Sequence, residues 1–103
     1  MTVLGIDSSA TAASAAIIRD GKLVSEIFSD TGLTHSQTLL PMIEKCLQMA
    51  DFSLKDIDLI AVANGPGSFT GVRIGIATVK GIAFTDDVEC VEISFMARYI
   101  INF

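Results

Sequence analysis

The sequence predicts one α/β domain: an antiparallel meander of three strands, then a helix, a strand, a second helix and a last strand. Three observations carry this reading. Short apolar runs near the N-terminus are separated by Asp20-Gly21, a strong signal for a two-residue hairpin. From Thr34 the apolar spacing becomes helical. Further on, a nearly continuous apolar run ends in a glycine-rich loop and gives way to a stretch of small and branched residues, the pattern of a buried strand feeding a helix.

Taken in order, residues 2–7, 12–18 and 23–28 are the three strands, and Asp7, Ser8, Ser9, Ala10 and Thr11 make the first turn. In the helix that follows, Leu39, Leu40, Ile43 and Leu47 share one face while Met42, Cys46 and Met49 continue around a second, so it is apolar on more than one side. Thr34 with Gln37 forms a capping box that leaves Pro41 inside the helix and kinks it; a start capped by Thr38 would put Pro41 in the tolerant first turn. The sequence leaves both open. Ser53 and Asp56 cap a short turn before a buried strand at 57–63. Residues 68–84 place Gly71 and Gly75 four apart, and Ala77 and Gly81 likewise, so another backbone can approach this helix closely. Asp86-Asp87 ends it, and a strand at 88–93 turns Val88 and Cys90 inward and Glu89 and Glu92 outward. Residues 95–103 are an apolar tail, and the chain is expected to be a piece of a longer protein whose element stops there.

Composition narrows the function. The chain has 103 residues, half apolar, and a net charge of −5. A domain this size buries roughly 65% of its unfolded surface, enough for a core without disulfides. Its seven basic residues are scattered singly among twelve acidic ones, which leaves no stripe for a phosphate backbone and predicts no direct nucleic-acid binding. No apolar run reaches the roughly 20 residues of a membrane span, and the N-terminus lacks the basic start of a signal peptide, so a cytoplasmic location is expected. Cys46 and Cys90, far apart and without CxxC spacing, read as buried thiols. Charged residues at only 18% point to apolar surface covered by a partner or a second domain.

Two places could carry chemistry. The loop Gly65-Pro66-Gly67-Ser68-Phe69-Thr70-Gly71 aims helix N-terminal N–H groups outward, where a phosphate can sit, or it is a tight turn for helix packing. Its GxGxxxG spacing is one residue longer than the dinucleotide fingerprint, and no Gly-Lys-Ser/Thr of a Walker loop follows. The second place is Asp7-Ser8-Ser9 with Thr11, a carboxylate and hydroxyls at a hairpin tip, which could hold a phosphate and its magnesium or form an Asx-type turn. His35 is the only histidine, so no paired-histidine metal site exists, and no nucleophile has a positioned base.

The ordered set Gly5-Ile6-Asp7-Ser8-Ser9, His35-Ser36 with Leu39-Leu40-Pro41-Met42-Ile43, and the unbroken run from Gly65 through Val72-Arg73-Ile74-Gly75 resembles the bacterial TsaB (YeaZ) family over nearly the whole chain to Ser94. The resemblance implies a half-domain of the actin, Hsp70 and sugar-kinase superfamily, a ribonuclease H-like mixed five-stranded sheet with antiparallel first three strands and flanking helices. Residues 1–94 would form this N-terminal subdomain, and 95–103 the start of a truncated connection to a second one. It implies a non-catalytic scaffold in making threonylcarbamoyladenosine next to the tRNA anticodon, paired with the catalytic paralogue TsaD and the ATPase TsaE, and a homodimer when alone. The alternative is a nucleotide-hydrolysing or glycoprotease-like enzyme using Asp7. Family pairing through the two helices makes His35, Leu39, Met42, Ile43, Cys46, Val72, Ile76 and Val79 the expected interface, with Gly65, Gly67 and Gly71 as a structural loop. Asp7, Ser8, Ser9 and Thr11 match the superfamily's phosphate hairpin as a vestige; no metal and no cofactor are expected for this chain alone, with ATP or ADP possible in the full complex.

Overall fold

The computed structural model describes residues 1–8, 12–30, 35–64 and 69–93. The elements are β1 (Thr2–Asp7), β2 (Ala13–Arg19), β3 (Lys22–Ser29), α1 (His35–Ala50), a 3-10 turn (Leu54–Asp56), β4 (Leu59–Ala63), α2 (Phe69–Asp86) and β5 (Glu89–Ile93). The strands form one sheet in the order β3-β2-β1-β4-β5. β1 pairs antiparallel with β2, and β2 with β3, whereas β1–β4 and β4–β5 are parallel. This is the mixed five-stranded architecture that the resemblance implied.

The β2–β3 turn shows why Asp-Gly was a reliable signal. Asp20 and Gly21 have φ of 52° and 81°, the left-handed pair that a type I′ hairpin requires. A bulge between Ile17 and Ile18 then shifts the register, so that Ile17 faces Ser25 and Ile18 faces Leu23.

Both helices pack on the same face of the sheet. Leu4 and Ile6 of β1 pair with Ile17 and Ala15 of β2 and with Ile60 and Val62 of β4, and these inward residues meet Leu39, Ile43, Cys46 and Val79 in one core. Alternation sends Val3, Gly5, Asp7, Ser14, Ala16 and Ile18 to the opposite face.

α1 starts at His35 and runs through Pro41, so the earlier of the two starts is the one adopted. Pro41 lies on the exposed side, where it lacks an N–H to donate and water can reach the backbone. Thr34, the expected cap, lies outside the described residues. β4 begins two residues later than expected, because Ile57 closes the 3-10 turn with its N–H on the Leu54 carbonyl at 3.1 Å. The Ser53–Asp56 cap is present, with the Ser53 N–H donating to Asp56 Oδ2 at 2.8 Å.

Both helices end in the same way. Asp51 (φ 59°) and Asp87 (φ 56°) take the left-handed position after the last turn. The following N–H groups of Phe52 and Val88 reach back to the carbonyls of Leu47 and Ala83 at 2.9 and 3.1 Å, the Schellman pattern.

Candidate functional site

The ends of β1 and α2 meet beside the two turns that sequence reading selected. Asp7 and Ser8 are both buried, but they diverge. Alternation turns Asp7 toward the open face of the sheet, beside its cross-strand neighbour Ser14, and turns Ser8 toward α2. The Ser8 hydroxyl donates to the Gly71 carbonyl at 2.7 Å in a fully buried contact. Gly75 lies one helical turn on, and a Cβ there would collide with the Ser8 hydroxyl and touch Val62. The close approach predicted from the Gly71/Gly75 spacing is therefore real, and its partner is Ser8.

Ser8 was expected to face a phosphate together with Asp7, Ser9 and Thr11. Its side chain is instead spent on tying β1 to the first turn of α2, because the strand's alternation points it into the helix layer. Ser9, Thr11, Gly65 and Gly67 lie outside the described residues, as does the side chain of His35. Gly71 is buried in the contact just described.

The expected interface residues need a correction. Leu39 and Ile43 are 1% exposed, Met42 is 7%, and Cys46 and Val79 are 0%. All five belong to the core against the sheet and cannot meet a partner, because the helices roll these residues onto the strands. Val72 and Ile76 are half-buried. The surface that remains was missed: Leu40 and Met49 on α1 and Phe84 on α2 are exposed, Phe84 by 92%. Arg73 and Ala77 lie on the same exposed side of α2 as Phe84. Leu40 and Met49 already stood in the apolar pattern of α1; only the roll of the helix was hidden.

The cysteines are separate. Cys46 Sγ lies 3.2 Å from Ser25 Oγ, whose hydroxyl also bonds the Cys46 carbonyl at 2.9 Å. Burial pushes the Cys46 thiol above its usual range, with the Ser25 contact opposing, and burial also raises Cys90. Lys80 and Glu92 form an exposed ion pair at 3.8 Å between α2 and β5. Among the described residues, no group of three or more His, Cys, Asp or Glu side chains comes together, and no helix is long and apolar enough to cross a membrane.

Residues 27–102 match the family model described as TsaD, tRNA N6-adenosine threonylcarbamoyltransferase. The chain is 39% identical over 94 residues to the tRNA threonylcarbamoyladenosine biosynthesis protein TsaB of Escherichia coli K12, a match that takes in 91% of this chain and 40% of that protein. It is 33% identical over 116 residues to the tRNA N6-adenosine threonylcarbamoyltransferase of Brachyspira hyodysenteriae, with coverage of 97% and 34%. Among solved structures, YeaZ from Pseudomonas aeruginosa superimposes with a TM-score of 0.81 at 38% identity, over 90% of this chain and 42% of that one. The chain thus spans about 40% of the length of the curated TsaB relatives it matches. By sequence match and by fold, the chain belongs to the TsaB (YeaZ) family, within the wider family that the TsaD model describes.

Proposed function

We propose that this chain serves as a non-catalytic scaffold in the formation of threonylcarbamoyladenosine on tRNA, pairing with a TsaD-type paralogue through the exposed faces of α1 and α2. The transfer of the threonylcarbamoyl group belongs to the paralogue, a TsaE-type ATPase joins the same assembly, and the chain pairs with itself when alone. The observation that carries this reading is the apolar surface left on both helices: Leu40, Met49 and Phe84 are 45%, 57% and 92% exposed. Side chains of this size standing in water on two neighbouring helices are available to pack against a partner's helices. Small Ala77, between Arg73 and Phe84, lets a partner helix come close.

The test is the solution mass by light scattering, alone and with the paralogue, for the wild type and for Leu40→Glu and Phe84→Glu. A dimer that exchanges into a heterodimer is expected, and both variants should be monomeric with an unchanged circular dichroism spectrum. A wild-type monomer indifferent to the paralogue, or a dimer indifferent to both substitutions, overturns the reading. ATP or peptide turnover by the pure chain that is lost in Asp7→Ala would make it an enzyme instead.

A further inference from the structure

One side of α2 is complementary to itself. Arg73, Ala77, Gly81 and Phe84 are all exposed, and at about 100° per residue they fall within about a quarter of the helix circumference. Phe84 is 92% exposed. A Cβ on Gly81 would meet nothing within 4 Å, so there is open space over the middle of this row.

Size and charge both change along the row. Small Ala77 stands about two turns before bulky Phe84, and the cation Arg73 near the start of α2 lies about 20 Å from the acids Asp86 and Asp87 at its end. A second copy of the helix set parallel to the first across a two-fold axis would bring Arg73 onto Arg73 and ring onto ring. Turned antiparallel about the midpoint between Lys80 and Gly81, it does the reverse. Each Phe84 then lies over the other copy's Ala77, whose small side chain leaves room for a ring, and each Arg73 comes within one residue of the level of the other copy's Asp87. Asp87 follows the last turn in a left-handed conformation (φ 56°), so this arginine also faces the negative end of the opposite helix. A single register satisfies both size and charge, and the same patch supplies both halves of each contact.

We propose that α2 is the seat of a second copy of this chain, packed antiparallel across a two-fold axis, with each Phe84 ring on the other copy's Ala77 and each Arg73 beside the other copy's Asp87. This rests on the self-pairing stated under the proposed function and names the residues by which the two copies recognise each other.

The test is the dimer dissociation constant of the full chain, read from light-scattering mass over a dilution series. Phe84→Ala and Ala77→Gln, both at exposed positions, should each raise it by about tenfold or more with the circular dichroism spectrum unchanged. Arg73→Glu and Asp87→Lys should each weaken self-pairing by about tenfold, because each sets like charges opposite each other twice in the dimer. Mixed in equal amounts, these two charge variants should pair with each other within about threefold of the wild-type affinity, since opposite charges then meet at both contacts. A wild-type chain that stays monomeric yet binds the paralogue overturns this proposal and leaves the pairing with the paralogue standing. A dimer indifferent to Phe84→Ala and Ala77→Gln, or charge variants that stay apart when mixed, overturns the register while self-pairing itself survives.

Discussion

A methyl group on Gly75 would occupy the space that the Ser8 hydroxyl fills. Gly75→Ala must therefore push β1 and α2 apart or break the Ser8–Gly71 bond, and overpacking of this kind costs about 1–3 kcal/mol. Ser8→Ala removes the obstructing oxygen along with the bond. The double variant should then be more stable than the sum of the two single losses allows, and urea unfolding of all three variants measures that coupling. The cysteines give a second expectation at this scale. Cys46 is fully buried and its thiol is raised by burial, whereas Cys90 is only half-buried. A thiol reagent at neutral pH should modify Cys90 in the native state and Cys46 only on unfolding, as mass spectrometry of the labelled protein would show.

At the scale of elements, both helices stop on an aspartate in a left-handed backbone conformation, where glycine has no steric penalty. Each aspartate also sets a negative charge beside the negative end of its helix. Asp51→Gly and Asp87→Gly should each stabilise the chain by about 0.5–1 kcal/mol, seen as a higher urea midpoint with the same slope. Buried and exposed positions of α1 respond differently. Ile43, 1% exposed, sits among the strands, and Ile43→Ala should cost about 2–5 kcal/mol; Leu40→Ala, at a position 45% exposed, should leave the stability of the monomer within about 0.5 kcal/mol.

For the whole molecule, what the sequence revealed depended on how local the cause was. Asp20-Gly21 specifies its turn within two residues, and the Ser53–Asp56 cap within four, so both were legible. The Ser8–Gly71 bond joins residues 63 apart, and only the glycine half of that contact left a sequence signal. Five of the expected interface residues lie in the core for another reason. α1 carries apolar residues around most of its circumference, and the sheet decides that Leu39, Ile43 and Cys46 are buried while Leu40 and Met49, on opposite flanks of that stripe, stay exposed. Periodicity reports that a helix has faces, not which one the strands take.

The position of β1 at the centre of the sheet also sets an order of assembly. Its residue Gly5 pairs with Ala16 on one side, 11 positions away, and with Ala61 on the other, 56 positions away. Closing the longer loop costs roughly 1.4 kcal/mol more in chain entropy, before any packing of α1 offsets it. The antiparallel meander should form first, and the parallel strands β4 and β5 should join a template already in place. In stopped-flow refolding, Ile17→Val on β2 should then chiefly slow folding, and Cys90→Ala on β5 chiefly hasten unfolding. Equal slowing by both would mean that the parallel half is already built when the barrier is crossed.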